Sequence, residues 1–324
     1  MPLLERLRPH HIVAVAHRPA PRPLGPGGPR GAGPHPARAR GGAAGAAAGQ
    51  AGGFTHGLAA RLVLADGRRA FAKAIPVDDA LAGMYRAEAG VAAGLPRSVP
   101  APPLRFTAEI DGWFAMVFDD VAGRHPRLRE PADLAAVLAT VERLADALTP
   151  SPLPGMRAVT DAYGRALSRW QQFAEHGPPP DLDDWSRRNL DLLADLESTW
   201  PTHCAGETLL HSDLRPDNML LGSDGIVCVV DWAAPCRGAA WADLVILAPS
   251  IALDGVDPDP ILTAHPLTRA VDPAAIDALV CALTGFWTYN SRLPVPPRSP
   301  RLRAHQARSG AVTREWLRRR VGWD

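Results

Sequence analysis

Lysine is almost absent from this chain of 324 residues. Of its 35 basic residues, 34 are arginine and one, Lys73, is lysine. A solvated surface cation can be either residue, so a compositional bias toward arginine can replace lysine at most positions. A compact ammonium and a planar guanidinium are not interchangeable where the geometry of a site matters. Lys73 is therefore a candidate functional residue, and the chance survival of one lysine is the alternative.

Cysteine is also scarce, and long apolar runs are missing. The four cysteines show no C-x-x-C spacing, which argues against a zinc site and a disulfide framework. No apolar run approaches the roughly 18 residues that a membrane span needs, and the apolar stretch at residues 12–16 is too short for a secretory signal. With 46% hydrophobic and 21% charged residues, the chain can bury a core. We expect a cytoplasmic protein with no membrane partner.

The net charge of +1 is unevenly distributed. Residues 1–50 carry seven Arg and one Glu, for +6, and residues 292–324 carry nine Arg, one Glu and one Asp, for +7. The remaining residues, 51–291, carry −12. Binding nucleic acid requires cations along the contact surface, so we expect no nucleic-acid partner for the central part of the chain.

Three regions follow from the composition and the apolar pattern. Residues 1–50 contain 29 Ala, Gly or Pro and read as a disordered tail, or as a misassigned start of the reading frame. Residues 51–119 form a predicted N-terminal lobe. It has a hairpin of strands 58–64 and 69–75 joined at Asp66-Gly67, a helix at 79–95, and a second hairpin of strands 104–109 and 113–118 turned at Asp111-Gly112.

Residues 120–324 form a predicted C-terminal lobe that is mainly helical. The apolar period predicts helices at residues 131–148, 161–175, 184–199, 239–253, 273–290 and 299–321, with one short β segment within 208–231. The predicted fold class is therefore α+β, a small antiparallel β lobe followed by a large helical lobe, with a cleft between them.

The strongest chemical signal is the segment His211-Ser-Asp-Leu-Arg-Pro-Asp-Asn218. It precedes a predicted hairpin of strands 219–221 and 226–230, with a Ser-Asp-Gly turn at 223–225. Asn218 leads into one strand and Asp231 leaves the other, so both lie at the open end of the hairpin. An amide oxygen and a carboxylate there suit Mg²⁺ bound to phosphates. Asp213, in the same loop, is placed to accept a proton from a substrate hydroxyl.

A second signal pairs Lys73 with Glu88. Glu88 falls on the apolar stripe of the predicted helix at 79–95, and a carboxylate directed at a core needs a partner because an unpaired buried charge is costly. Lys73, in the preceding strand, is the candidate.

Two weaker signals point to a nucleotide. The glycine-rich segment at residues 52–57, with Gly52, Gly53 and Gly57, would let backbone amides approach phosphates. The segment 116–120, which includes Phe118, would offer backbone contacts to an adenine edge.

The pattern H-x-D-x-x-x-x-N followed by a strand-end Asp resembles the catalytic and metal loops of the kinase-like fold. With Asp231-Trp232 in place of D-F-G, the chain looks most like the aminoglycoside phosphotransferase and choline kinase-like family. The resemblance implies a two-lobed protein-kinase-like fold, the cofactors ATP and Mg²⁺, and a Lys73 that contacts nucleotide phosphates while Glu88 holds it. It also implies that His211 and Asp243 brace the loop. Ser212 departs from the glycine common in the family.

The predicted function is ATP-dependent transfer of a phosphoryl group to a hydroxyl of a small molecule such as an aminoglycoside or an amino-alcohol. The −12 charge and six loop aspartates favour a cationic acceptor, unless those aspartates are merely helix caps; they are Asp181, Asp183, Asp184, Asp254, Asp257 and Asp259. Two other functions stay open. One is a catalytically silent nucleotide-binding module, and the other is a metal-dependent phosphoesterase using His211, Asp213, Asp217 and Asp231.

Overall fold

The computed structural model describes residues 46–49, 57–64, 67–297 and 299–324. The N-terminal part of these residues forms an antiparallel sheet of five strands. Its strands are β1 (Ala46–Gly49), β2 (Leu58–Val63), β3 (Arg69–Pro76), β4 (Leu104–Ile110) and β5 (Trp113–Asp119), in the order β1-β2-β3-β5-β4. Alternate residues of β2 and β3, such as Leu62, Ala72 and Ala74, are buried in one core. The period of two in the sequence therefore places one face of each strand inward.

Both predicted hairpins of the N-terminal region are present. Asp111 and Gly112 have φ of 49° and 79°, as a two-residue turn of type I′ requires at both central positions. Asp66 of the other predicted turn lies outside the described residues, but β2 and β3 pair antiparallel, with Val63 opposite Arg69.

Strand β1 lies within the segment that the composition predicts to be disordered. Its four residues pair antiparallel with β2, Ala46 opposite Val63 and Gly49 opposite Ala60. For these four residues the structure has a strand where the sequence predicts disorder, because pairing with a neighbouring strand satisfies backbone groups whatever the side chains are. Residues 1–45 and 50 lie outside the described residues.

Helix α1 (Ala82–Gly94) follows the sheet strand β3, close to the predicted 79–95. The described residues divide into two compact units. One contains β1 with Gly57–Arg86 and Leu104–Asp120, and the other contains Ala87–Pro103 and Val121–Asp324. The core of the second unit is built mainly from its helices.

The helices of the second unit are α2 (Pro131–Ala147), α3 (Val159–Tyr163), α4 (Arg169–His176), α5 (Asp184–Arg188), α6 (Leu190–His203), α7 (Ala242–Leu253), α8 (Pro258–Ala264), α9 (Pro273–Asn290) and α10 (Leu302–Val321). Short strands between them form two pairs: β6 (Thr208–Leu210) with β9 (Cys236–Gly238), and β7 (Met219–Leu221) with β8 (Val227–Val229). The α+β fold class is thereby confirmed.

Two predicted helices, 161–175 and 184–199, are each divided in two. Helix α4 starts afresh at Arg169 because the buried Glu197 of α6 accepts hydrogen bonds from the backbone N–H groups of Arg169, Trp170 and Gln171 at 3.0–3.1 Å. Because the capping residue is 26 to 28 positions away in the sequence, the local apolar pattern does not predict where α4 begins. Helix α8, which the sequence analysis missed, begins with an Asp257 cap and Pro258 in its first turn.

No helix within the described ranges is both long and apolar enough to cross a membrane.

Candidate active site

The hairpin of β7 and β8 holds Asn218 and Asp231 at its open end, as predicted. The backbone N–H of Val230 donates to the carbonyl of Asn218 at 2.9 Å. This is the last hydrogen bond between the two strands, and it lies next to Asn218 and Asp231. Asn218 is buried and Asp231 is exposed. Asp231 has a φ of 66°, a left-handed conformation that is uncommon outside glycine and often marks a functional position.

Asp213 and Asn218 are joined by hydrogen bonds. The Nδ2 group of Asn218 donates to the backbone carbonyl of Asp213 at 2.9 Å and to its carboxylate Oδ2 at 3.1 Å. Because the amide nitrogen of Asn218 is engaged with Asp213, its Oδ1 points to the opposite side. The sequence predicts these two residues in one loop, and the structure brings their side chains into contact.

The carboxyl group of Asp213 is tuned by its surroundings. Burial raises its pKa to about 6, and the Asp217 and Asp231 carboxylates act in the same direction, while Arg215 and the hydrogen bond from Asn218 oppose the shift. The side chain keeps 49% of its surface accessible to solvent. Asp213 is thus a carboxylate at neutral pH with an affinity for protons well above that of an ordinary aspartate.

Asp243 and His211 brace the loop, in agreement with the resemblance. Asp243 is buried at the start of α7, and its two carboxylate oxygens accept the N–H groups of His211 and Ser212 at 2.7 and 2.9 Å. The Nε2 of His211 lies 3.0 Å from the carbonyl of Val230, so this nitrogen carries the proton. The Nδ1 of His211 then accepts the N–H of Asp213 at 3.3 Å. Burial lowers the pKa of His211, which keeps the ring neutral.

Ser212 occupies a left-handed conformation, with a φ of 64°. Its hydroxyl lies 3.0 Å from the sulfur of Cys236 on β9, and its N–H donates to Asp243. These contacts hold a conformation that glycine adopts at lower cost. The departure from the family pattern at this position therefore leaves the backbone of the loop intact.

Arg215 lies between two acids of the loop. Its Nε is 3.4 Å from Asp213 and its Nη2 is 3.1 Å from Asp217. Its side chain is 20% exposed, whereas that of Asp217 is 54% exposed, as predicted for a residue that points to solvent. Arg215 is thus part of the electrostatic surroundings of Asp213.

A strap of three residues, Gly123–Arg124–His125, packs on the hairpin, and no sequence pattern predicted it. The backbone of Arg124 exchanges hydrogen bonds with Leu221 of β7 at 2.7 and 3.1 Å. A side chain at Gly123 would come within 2.9 Å of the Leu221 carbonyl. The close approach of the two backbones therefore favours glycine at this position.

His125 extends the strap to the loop itself. Its Nδ1 lies 3.1 Å from the carbonyl of Pro216 and 3.0 Å from that of Met219, on either side of Asn218. Arg124 is held in turn by Asp133, and these charge-assisted hydrogen bonds lower the pKa of Asp133 to about 2. Contacts between residues more than 90 positions apart leave no local spacing signal in a single sequence.

Lys73 lies on β3 opposite Met116 of β5, and its ammonium is 5.4 Å from the centre of the Tyr85 ring. Gly57 is where the chain passes Tyr85 closely, since a Cβ there would be 2.0 Å from the Tyr85 hydroxyl. Phe118 is buried in β5. Gly52 and Gly53 lie outside the described residues.

Glu88 is one turn after Tyr85 in α1 and is only 3% exposed. The expectation that this carboxylate points into the protein is met. The pairing of Lys73 with Glu88 stays a prediction.

The aspartates that suggested a cationic acceptor have other roles. Asp183 and Asp257 cap helices α5 and α8. Asp181 pairs with Arg292, Asp259 pairs with Arg320, and Asp254 accepts the N–H of Leu128. Asp184 is in the first turn of α5. Capping, ion pairing and a backbone hydrogen bond account for five of the six, so they give no support to a cationic acceptor.

One curated protein and several solved structures are similar to this chain. Homoserine kinase of Methylobacillus flagellatus is 26% identical over 159 residues, which cover 46% of this chain and 47% of that protein. The chain thus spans about half the length of this curated relative.

Two solved structures share the fold. One is a choline/ethanolamine kinase family protein of Mesorhizobium loti, with 16% identity, a TM-score of 0.57, and coverage of 85% of this chain and 88% of that one. The other is the GDP complex of a point mutant of aminoglycoside 2′-phosphotransferase-IIIa, with 15% identity, a TM-score of 0.55, and coverage of 86% and 92%.

The family model described as the phosphotransferase enzyme family matches residues 51–279 of the chain. That match covers well over half of the sequence and includes both Lys73 and the loop from His211 to Asp231. This protein belongs to the phosphotransferase enzyme family.

Proposed function

We propose that this protein transfers the terminal phosphoryl group of ATP to a hydroxyl group of a small molecule. The observation that carries the proposal is the contact of Asp213 with Asn218 beside Asp231, in a loop whose backbone is fixed by Asp243. Phosphoryl transfer asks little covalent chemistry of the protein. It requires one carboxylate facing the acceptor and oxygen ligands facing the phosphates, both held rigidly.

Asp213 is the proposed base. A pKa of about 6 leaves it ionised at neutral pH while making it a better proton acceptor than an ordinary aspartate. Its contact with Asn218 and the neighbouring Arg215 fix the carboxylate in one orientation. In this role Asp213 aligns the acceptor hydroxyl and receives its proton as the oxygen bonds to phosphorus.

Asn218 and Asp231 fit Mg²⁺ and would hold it. The amide of Asn218 is turned so that its oxygen is available, and Asp231 supplies an exposed carboxylate at the same hairpin end. Within the described ranges no group of three or more His, Cys, Asp and Glu side chains converges. This fits a cation that shares its ligands with phosphate oxygens rather than one in a closed protein cage. When bound, Mg²⁺ offsets the charge that develops on the transferred phosphoryl group.

Lys73 and Glu88 have proposed roles at the nucleotide. Lys73 supplies a point charge to the phosphates, and Glu88, buried and one turn from Tyr85, orients it. Gly52, Gly53 and Gly57 would approach the phosphates through backbone amides, and the strand that contains Phe118 would face the base. A structural relative is a GDP complex, so the nucleotide preference needs both ATP and GTP as test substrates.

The proposed acceptor is a small hydroxylated amine. Support comes from the relatives named for homoserine, choline or ethanolamine, and aminoglycosides, since each of these molecules combines a hydroxyl with an amino or a quaternary ammonium group. The loop aspartates are not part of this argument, because the structure assigns most of them to caps and ion pairs.

The phosphoesterase alternative is less well supported. Both ring nitrogens of His211 are engaged inside the protein, one with the Val230 carbonyl and one with the Asp213 N–H. His211 therefore cannot ligate a metal without losing contacts that hold the loop. That alternative also gives no role to Lys73 or Glu88.

The proposal is tested by a screen of the purified full-length protein. ATP or GTP is supplied with Mg²⁺ and a panel of hydroxylated amines, and phosphorus NMR follows the fate of the terminal phosphate. We expect a phosphate ester to form with at least one acceptor and not without Mg²⁺. Release of inorganic phosphate alone, or hydrolysis of phosphate esters without nucleotide, would instead support the phosphoesterase.

A further inference from the structure

A cavity of about 560 Å³ lies in the second unit, and neither Asp213 nor Asn218 lines it. Three segments form its wall: the part of α1 after Arg86, the chain from Leu153 to α3, and the three residues Ala233, Ala234 and Pro235. The volume is within the range of small-molecule pockets in proteins. None of the proposed catalytic residues contributes to the wall.

The space is open to solvent, since Ala87, Gly90 and Ala234 of its wall are exposed, and the side chains there are small. Helix α1 contributes Ala87 and Gly90, and the third segment contributes two alanines. Gly90 lies in the interior of α1, where glycine destabilises a helix relative to alanine. A Cβ at Gly90 would meet nothing within 4 Å, so packing does not require a glycine at this position.

The polar groups of the cavity have different roles. The Tyr163 hydroxyl donates to the carbonyl of Ala234 at 2.6 Å and is in hydrogen-bond contact with Ser212 of the catalytic loop. Burial raises the pKa of Tyr163, and the Asp213 carboxylate acts in the same direction. The hydroxyl is therefore engaged, and the ring forms apolar wall beside that loop.

Arg157 is exposed, and its guanidinium donates to the backbone carbonyl of Asp161. Within the described part of the chain no carboxylate lies within ion-pair distance of Arg157, so its charge is not neutralised locally.

We propose that this cavity binds a small apolar molecule that carries one anionic group. Its body would lie against Ala87, Gly90 and the ring of Tyr163, and its anionic group would face Arg157. Apolar walls supply burial, and a single cation supplies direction through a charge-assisted hydrogen bond. The proposal concerns binding alone and does not depend on the proposed function.

The probe is 8-anilinonaphthalene-1-sulfonate, an aromatic sulfonate, titrated into the full-length protein by fluorescence and calorimetry. The test variant is Gly90→Leu, which adds a branched side chain at a residue that lines the cavity. The matched control is Gly83→Leu, because Gly83 is also a glycine of α1 at which an added Cβ would meet nothing within 4 Å, but it does not line the cavity. Melting temperatures of both variants report whether the helix is intact.

We expect one saturable site whose Kd rises at least about tenfold in Gly90→Leu, a loss of about 1.4 kcal/mol, and stays unchanged in Gly83→Leu. Arg157→Gln should weaken the sulfonate but not the neutral analogue N-phenyl-1-naphthylamine. Equal binding by the two glycine variants would overturn the proposal, since the probe would then sit elsewhere, for example at the nucleotide site. Equal affinity for the neutral and the anionic probe would overturn the role of Arg157.

Discussion

At the scale of single residues, the ionisation state of Asp213 should determine how the rate of phosphoryl transfer depends on pH. Its raised pKa of about 6 predicts that kcat/KM falls as the pH drops through about 6, because the protonated carboxyl cannot accept a proton. The measurement is a pH–rate profile from about pH 4 to pH 8 at saturating Mg²⁺. An acidic limb near pH 4, typical of an unperturbed aspartate, would contradict the assigned environment.

The same raised pKa predicts an effect on stability. The folded state binds a proton at Asp213 more tightly than the unfolded chain does, so this residue favours folding below about pH 4. That contribution is lost as the pH rises through about 6. Asp213→Asn should therefore not lower the melting temperature at neutral pH, and calorimetry at about pH 5 and pH 7 checks this. A marked loss of stability would show that the carboxylate has a structural role instead.

Lys73→Arg should reduce turnover roughly 10²-fold although the charge is kept, because a guanidinium is wider than the ammonium beside Tyr85. The control is Arg69→Lys, the reverse exchange on the same strand, at an exposed residue that pairs with Asp120. Initial rates at saturating ATP compare the two. Wild-type turnover in Lys73→Arg would make the only lysine of the chain an accident of composition.

At the scale of elements, the strap on the hairpin makes a testable contribution. In His125→Phe the contacts with the carbonyls of Pro216 and Met219 are lost, so the loop around Asn218 should become less rigid. We expect kcat to fall about tenfold and the Mg²⁺ concentration for half-maximal rate to rise, with the KM for the acceptor unchanged.

The control is His176→Phe, since the Nδ1 of His176 also contacts a backbone carbonyl, that of Gln172, within helix α4. His125→Asn, which keeps a donor, should recover part of the rate. If His125→Phe lowered only the melting temperature and left the Mg²⁺ dependence unchanged, the strap would be purely structural.

Elements with strong local signals could be predicted from the sequence. The turn at Asp111-Gly112, the hairpin after Asn218 and helix α9 were placed correctly because turn residues and apolar period are local properties. The start of α4 was not predicted, because it depends on hydrogen bonds to Glu197, which is distant in the sequence. Sequence reasoning placed Asp213 and Asn218 together through their spacing, but it could not find His125, whose role comes only from tertiary contact.

At the scale of the whole molecule, the N-terminal region separates into two parts with different expected effects. Deleting residues 1–45 should leave the melting temperature unchanged, because their composition offers little apolar surface to bury. Deleting residues 1–50 also removes β1 and the backbone pairing with β2, which should lower it by at least about 3 °C. Differential scanning calorimetry of the two truncated proteins makes the comparison. Equal melting temperatures would show that β1 adds nothing to the sheet.

The central claim is that Asp213 is the base of a phosphoryl transfer while Asn218 and Asp231 hold the metal. The most direct test compares Asp213→Asn with Asp217→Asn, since both carboxylates lie in one loop near Arg215. For each protein, transfer of labelled terminal phosphate to the acceptor and the Kd for Mg-nucleotide are measured together. The account predicts a loss of transfer of at least about 10²-fold in Asp213→Asn, with nucleotide affinity kept, and near wild-type behaviour in Asp217→Asn. Transfer at the wild-type rate in Asp213→Asn would contradict it.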